Sequence, residues 1–194
     1  MKVADRFAQP TTAINQLWQT DFTYLKVTGW GWYYLFTVMD DYSRYILAWR
    51  LCQTMSARDV TATLKAALNT AGLAKKQRPK LPSANGPCYV SSELQDWLKE
   101  HGLSHTRGKP YHPMTQGKIE RWHRSLKNRI LRENYYVPGA LERQIDEFVI
   151  HDNARRYHES LNNLTSEDVW CGRGQSILDA RRTLKEKTLK LRKQ

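Results

Sequence analysis

Hydrophobic and polar positions in the first quarter of the chain predict three consecutive strands. Aromatic and β-branched residues dominate 16–25, 32–39 and 44–52, a composition typical of strands. Glycines separate the first two segments, and the turn-forming run 40–43 separates the second from the third. Short polar turns between such segments favour an antiparallel meander.

After the meander, helical periodicity alternates with short strands. The predicted elements are a helix between the capping box at 56–59 and Gly72, a strand near 80–83, a helix capped by Ser92 with Gln95 and ending at Gly102, and a strand at 103–106. A strand meander followed by helix and strand alternation predicts an α/β fold with a mixed sheet.

A loop punctuated by Pro110 and Pro113 leads into an amphipathic helix. The predicted apolar stripe of this helix is Ile119, Trp122, Leu126 and Ile130. The polar stripe carries an amide, a carboxylate and two cations, namely Gln116, Glu120, Arg124 and Lys127. A carboxylate among cations suggests a metal-dependent site that acts on a polyanion. The alternative is a solvated face of ion pairs.

Two further helices follow. The first comes after Pro138-Gly139, with Leu141, Ile145, Phe148 and Val149 facing inward. The second, from Gln175, is rich in lysine and arginine, and is either a tail that contacts nucleic acid or a merely solubilising helix.

The overall charge points to a phosphate-rich partner. The 194 residues carry a formal net charge of +12, with a pI near 9.7. No apolar run approaches the roughly 18 residues that a membrane span needs, and the first six residues lack the apolar core of a secretory signal. The three cysteines form no zinc or disulfide pattern, which fits a reducing cytoplasm.

Asp21 is the first carboxylate that the pattern marks as functional. It lies in the middle of an apolar strand, where a charge is costly unless it is paired or binds a metal. Asp40 and Asp41 could form a metal pair, but aspartates at a turn usually serve local hydrogen bonding. We therefore predict a structural role for Asp40 and Asp41.

Taken together, these segments resemble the integrase catalytic core of the retroviral-integrase superfamily, most closely the DDE transposases of bacterial insertion sequences. The segments that carry the resemblance are 18–23, 40–44, 83–87, 111–120 and 153–161, in that order along residues 17–169. The resemblance implies an RNase H-like fold, a five-stranded mixed sheet flanked by helices, with extra C-terminal helices. The implied domains are a leader or linker at 1–15, the core at 16–170 and a basic tail at 171–194.

The family's catalytic set is Asp, Asp and Glu, with 35 residues between the last two. By resemblance the set falls on Asp21, position 84 and Glu120, and 35 residues do separate positions 84 and 120. The resemblance implies two Mg²⁺ or Mn²⁺ ions, with Asp21 on both and the other two positions on one each. Position 84, however, is alanine, whose methyl group binds no metal. We therefore expect this chain to be inactive as a polynucleotidyl transferase.

The implied partner is double-stranded DNA, both transposon ends and target, in a bacterial cytoplasm and nucleoid, with no membrane. The stripe and loop beside Glu120 predict phosphate contacts from Tyr111, Gln116, Arg124 and Lys127. A homo-oligomer is expected in the active assembly. Such transposases usually carry an N-terminal DNA-binding region, which the resemblance suggests is separately encoded or missing from this chain.

Three functions compete. The first is a transposase core that is inactive because of Ala84. Natural decay spreads over many positions, so a lone Asp→Ala replacement favours deliberate inactivation. The second is a non-enzymatic DNA-binding or dominant-negative relative, which Ala84 favours and the retained Asp21 and Glu120 disfavour. The third is another RNase H-like nuclease such as a resolvase, against which the prolyl loop and the 35-residue spacing argue.

Overall fold

A computed structural model describes residues 10–73, 78–83, 91–107 and 117–192. The strands are β1 (Trp18–Val27), β2 (Gly31–Asp40), β3 (Ile46–Cys52), β4 (Lys80–Ser83), β5 (Ser104–Arg107), β6 (Tyr157–His158) and β7 (Leu164–Thr165). The helices are α1 (Ala57–Ala71), α2 (Ser92–Glu100), α3 (Gly117–Ile130), α4 (Pro138–Ala154), α5 (Ser166–Trp170) and α6 (Gly174–Leu191). A single 3₁₀ turn, Glu159–Leu161, lies between β6 and β7.

The strands form the predicted mixed sheet. β1, β2 and β3 pair antiparallel, and β4 pairs with β5 in parallel. A parallel bridge between Leu17 and Lys80 joins the two groups, and the Lys80 N–H donates to the Gln16 carbonyl at 3.0 Å. The resulting order is β3-β2-β1-β4-β5, which confirms the α/β class and the five-stranded sheet.

Each face of the sheet carries its own core because successive strand side chains point to opposite faces. Trp18 and Phe22 of β1 pack in the cluster formed with α1 and α2. Leu25 and Val27 belong to the second cluster, formed with α3 and α4. Odd-numbered residues of β1, Asp21 among them, therefore face α3.

Local sequence rules account for most helix ends, with two corrections. The capping box of Ser56 and Asp59 opens α1 as predicted, and the hydrogen bonds from Ser56 lower the pKa of Asp59 although partial burial acts to raise it. The cap of α2 is Ser91, not Ser92, since the Ser91 hydroxyl accepts from the Leu94 N–H. α4 begins at Pro138 itself, because a proline at the first helical position forfeits no hydrogen bond.

The outer edge of the sheet is held by Asn153 near the end of α4. The Ile46 N–H donates to Asn153 Oδ1 at 2.9 Å, and Asn153 Nδ2 donates to the Ile46 carbonyl at 3.1 Å. Asn153 is buried, so both bonds are shielded from water. They fix the end of α4 to the first residue of β3.

The two ends of the described chain differ in how they contact the core. The Thr11 hydroxyl and the Asn15 N–H donate to the carboxylates of Asp41 and Asp40. At the other end, α6 has no buried residue, and Arg181 contacts the Asn163 carbonyl at 3.0 Å. Among the described helices, none is long and apolar enough to cross a membrane.

Candidate active site

Asp21 lies at the centre of β1 on the face covered by α3. Its side chain is 25% exposed, and Oδ2 lies 3.5 Å from Nδ1 of His123 on α3. The cross-strand neighbour of Asp21 is Thr37 on β2, whose hydroxyl lies 3.2 Å from the other ring nitrogen of His123. The imidazole therefore lies between side chains of both strands, beside the Asp21 carboxylate.

Glu120 occupies the first turn of the same helix and is exposed. It precedes His123 by three residues, a spacing that puts two helical side chains on one face with Cβ atoms roughly 5–6 Å apart. Since His123 contacts Asp21, this spacing brings Glu120 to the same junction of β1 and α3. Within the described residues, no three His, Cys, Asp or Glu side chains converge to hold a metal.

A buried polar network fixes the first turn of α3 against the sheet. Gln19 Oε1 accepts from the Ile119 N–H at 2.9 Å, and Gln19 Nε2 donates to Asp41 Oδ1 at 2.5 Å. Lys118 Nζ donates to Asp41 Oδ2 and to the Asp41 carbonyl, both at 2.8 Å. Gln19 is two residues before Asp21, and Ile119 directly precedes Glu120, so the network sets the separation of the two carboxylates.

A second anchor holds the middle of α3 to α4. The Trp122 indole N–H donates to Asp152 Oδ2 at 3.0 Å, and Arg156 donates to Asp152 Oδ1 at 2.9 Å. Asp152 is only 1% exposed. These two hydrogen bonds therefore give each oxygen of a buried carboxylate a partner. Trp122 and the rest of the predicted apolar stripe are buried, which confirms the orientation of α3.

Asp40 and Asp41 both have structural roles, but only Asp40 has the local hydrogen bonding that the turn predicts, since, among the described residues, the side-chain partners of Asp41 are distant in the chain. Asp40 accepts from the backbone N–H and hydroxyl of Ser43. Complete burial raises the pKa of Asp40, and the hydrogen bonds from Ser43 only partly oppose that rise. Asp41 is occupied by Gln19 and Lys118, so neither carboxylate is open to a metal.

The structure describes four of the seven predicted site residues. Asp21, Glu120, Arg124 and Lys127 are placed on β1 and α3, whereas Ala84, Tyr111 and Gln116 lie outside the described residues. Arg124 is exposed. Lys127 Nζ lies 4.2 Å from the centre of the Tyr24 ring, so this cation rests on an aromatic face.

Sequence reasoning missed His123, Gln19 and Lys118. His123 shares the apolar stripe of Ile119 and Leu126 at helical spacing, and a polar side chain there signals a buried partner. Gln19 had an equivalent signal, since it is two residues before Asp21 on the same strand face. Nothing in the sequence marked Lys118 as the partner of Asp41, because 77 positions separate them.

The chain belongs to the integrase core domain family. One integrase core domain model matches residues 11–113, and a second, also described as an integrase core domain, matches residues 101–165. The two matches cover β1 to β5, α3 and α4, which contain both candidate carboxylates. Residue 11 is also where the hydrogen bonds to the core begin in the described chain.

Proteins of known sequence that are similar to the chain include retroviral polyproteins. The chain is 31% identical to the Gag-Pro-Pol polyprotein of Sheep pulmonary adenomatosis virus over 119 residues, 61% of this chain and 6% of the polyprotein. It is 32% identical to that of Mouse mammary tumor virus over 130 residues, 64% of this chain and 7% of the polyprotein. The chain thus spans a small fraction of these relatives, and the bacterial origin implied by the sequence stays a prediction.

Solved structures share the fold. The chain aligns with a simian T-cell lymphotropic virus intasome in complex with the PP2A regulatory subunit B56 gamma at a TM-score of 0.71 and 21% identity, over 84% of this chain and 56% of that one. The HTLV-2 integrase catalytic core domain in complex with magnesium, in its dimeric form, gives a TM-score of 0.64 and 18% identity, over 81% and 97%. These likenesses confirm the fold of an integrase catalytic core.

Proposed function

We propose that this chain is the catalytic core of a DNA integrase or transposase in which Ala84 replaces one of three metal-binding carboxylates. The observation that carries the proposal is the placement of Asp21 and Glu120 on two elements that Gln19 joins directly, through its hydrogen bond to Ile119. An integrase-family chain with two carboxylates held at one junction supports phosphodiester chemistry. The charge of +12 supports DNA as the substrate.

The residues present supply only part of a binding site for divalent metal ions. Carboxylate oxygens are the ligands that Mg²⁺ prefers. Asp21 is partly exposed and Glu120 is exposed, so both are open to a cation. A solved integrase core of this fold is described in complex with magnesium. Position 84 contributes a methyl group, so the donor set is one carboxylate short of the three that the family uses.

The ions, when bound, would supply charge stabilisation at the attacking and leaving oxygens of the phosphodiester. The chain's own residues do the rest. Asp21 and Glu120 would hold the ions, His123 lies beside Asp21, and the Gln19–Asp41–Lys118 network keeps the first turn of α3 in place. In the proposed reaction, water first breaks the P–O3′ bond at the donor end, which leaves a donor 3′ hydroxyl and a 5′ phosphate on the released strand. The donor 3′ hydroxyl then attacks a phosphodiester of the target DNA, forms a new P–O3′ bond and releases the 3′ hydroxyl of the cut target strand.

The proposed partners are double-stranded DNA and further copies of this chain. Solved integrase cores of this fold are described in dimeric and trimeric forms, which supports a homo-oligomer here. The competing proposal is a DNA-binding relative without chemistry, which Ala84 favours. Restoring the carboxylate with Ala84→Asp and assaying donor-end cleavage with Mg²⁺ or Mn²⁺ separates the two proposals.

Phosphate binding by α3 predicts a change in salt dependence. Replacing Arg124 and Lys127 by alanine should weaken duplex binding and lower the log–log salt slope by up to about two units, at roughly 0.9 per phosphate contact. Fluorescence anisotropy at several salt concentrations measures the slope. The matched control is Lys65→Ala with Arg143→Ala, which removes the same charge from exposed positions on α1 and α4. Equal salt slopes in the two double variants would mean that Arg124 and Lys127 belong to a solvated face that does not contact DNA phosphates.

DNA binding and metal binding are expected to be separable. Without a metal, the Asp21 carboxylate repels the phosphate that it is meant to act on. Asp21→Asn should therefore leave duplex affinity unchanged or slightly higher in titrations with fluorescent DNA that contain no divalent ion. A marked loss of affinity would mean that the Asp21 carboxylate organises the DNA site itself, and the separation would fail.

A further inference from the structure

The far end of the β1–β2 hairpin carries a group of exposed aromatic rings. Tyr24 is 59% exposed, Trp32 is 55% exposed and Trp30, in the turn, is 60% exposed. The Tyr24 and Trp32 rings meet edge to face, with their centroids 5.5 Å apart. Large exposed rings in contact with each other are uncommon on a surface that has no partner.

The rings lie on the sheet face opposite α3. Tyr24 and Trp32 share this face with Phe22 and Phe36, which enter the core beneath α1. Beyond α1 the face is open, since Tyr24 and Lys26 of β1 are exposed. We call this open surface, formed by Tyr24, Lys26 and Trp32, the hairpin face.

The charged strand residues beside the hairpin face are cations. Lys26 lies directly across from Trp32 in the β1–β2 register, and Arg50 of β3 is exposed on the same side of the sheet. Strand positions on this side between Phe22 and Lys26, and their partners on β2 and β3, include no carboxylate. Although α3 lies on the other face of the sheet, the ammonium of its Lys127 contacts the Tyr24 ring, so this side chain passes round the edge of β1. Aromatic rings among cations suit a polyanion that carries flat apolar groups.

The hairpin face adjoins the candidate active site. Lys127 follows Glu120 by seven residues on α3, a rise of roughly 10 Å along the helix. Tyr24 follows Asp21 by three residues on β1, also roughly 10 Å along the strand. Because Lys127 and Tyr24 are in contact, the hairpin face lies roughly 10 Å from each carboxylate, along α3 from Glu120 and along β1 from Asp21. At about 3.4 Å per nucleotide, 10 Å corresponds to about three stacked nucleotides.

We propose that the hairpin face is a stacking site for unpaired nucleotides of the DNA strand beside the reacting end. Bases of an intact duplex are stacked on one another, so exposed rings can bind them only where the strands separate or end. Trp32 and Tyr24 supply the stacking surfaces, and Lys26 and Lys127 neutralise the phosphates between the bases. This inference rests on the proposed function, because that function places a DNA end at Asp21 and Glu120.

The test compares DNA ends in binding assays without divalent ions. The probes are one labelled duplex with blunt ends, the same duplex with a three-nucleotide 5′ overhang, and the same duplex with a 3′ overhang. We expect one of the two overhanging duplexes to bind about tenfold more tightly than the blunt duplex. Trp32→Ala should remove that preference. Trp32→Phe, which keeps a ring, should retain most of it. Tyr157→Ala, which removes an aromatic side chain that is 63% exposed on β6, should leave it unchanged.

Each outcome decides the proposal. An equal affinity for blunt and overhanging ends, or a preference that survives both Trp32→Ala and Tyr24→Ala, overturns the stacking site. An equal loss of affinity for all three probes in Trp32→Ala also overturns it, because that pattern is a general duplex contact. Melting temperatures are measured for all variants, to establish that each is folded. These binding assays are independent of the cleavage assay on Ala84→Asp. If the overhang preference depends on Trp32 but Ala84→Asp does not cleave DNA, the proposed catalysis is wrong and the stacking site stands.

Discussion

Ala84→Asp should convert a chain without detectable metal-dependent cleavage into one that nicks donor DNA ends and joins them to target DNA. The substitution supplies the missing hard ligand at position 84, which 35 intervening residues separate from Glu120. The other two carboxylates lie on β1 and α3, so the change supplies the third carboxylate of the set that the family uses. Electrophoresis of labelled donor ends with Mg²⁺ and with Mn²⁺ measures the gain.

Two controls make this gain specific. Ala84→Asn has nearly the same size as aspartate but no charge, and should remain inactive or nearly so. Ala84→Asp combined with Glu120→Gln should lose the restored activity, since each metal position matters. If the original Ala84 chain carries out robust strand transfer, the assignment of position 84 is wrong. If all variants are inactive while DNA binding persists, the chain is a DNA-binding relative without chemistry.

Asp41→Ala should destabilise the fold and disable the restored enzyme. The buried carboxylate of Asp41 accepts from Gln19, Lys118 and the Thr11 hydroxyl. Its loss leaves the buried Gln19 amide N–H without this acceptor and, among the described residues, leaves Lys118 with only the Asp41 backbone carbonyl. We expect a loss of about 2–3 kcal/mol in the free energy of unfolding. For a chain of this size that corresponds to a fall of roughly 4–12 °C in melting temperature. In the Ala84→Asp background, cleavage should fall as well, because the first turn of α3 loses its anchor.

Asp146→Ala is the matched control for this prediction. Asp146 is an exposed carboxylate on α4, and its removal should change stability by no more than about 0.5 kcal/mol. Thermal unfolding and single-turnover cleavage are measured for both variants. A melting temperature that Asp41→Ala leaves unchanged would show that the network contributes little. Unchanged cleavage in a destabilised variant would show that the network stabilises the fold without positioning Glu120.

Periodicity and turn chemistry were enough to predict most of the fold. The strand sequences of β1 to β3, the capping box at Ser56 and the apolar stripe of α3 are local signals, and each specifies one element. The fold class follows because a meander followed by alternating helices and strands has few ways to bury its apolar faces. The cap of α2 was misplaced by one residue because Ser91 and Ser92 are chemically equivalent, and only the backbone geometry distinguishes them.

The candidate site was predictable only where a residue violated its local pattern. Asp21 is a charge in an apolar strand, and Glu120 is a carboxylate among cations, so both could be found from the sequence. The residues that hold them in place could not, because their partners are distant in the chain. Gln19 meets Ile119 across 100 positions and His123 meets Thr37 across 86. Pairings of this length are set by the packing of α3 on the sheet.

The pairing of Asn153 with Ile46 has a consequence for solubility. β3 is an outer strand of the sheet, and the free N–H and C=O groups of an outer strand invite a strand from another molecule, which leads to aggregation. The Asn153 amide occupies the N–H and the C=O of Ile46, as a neighbouring strand would. The start of β3 is thus closed to strand addition by one side chain, and the exposed charge of Arg50 opposes it farther along.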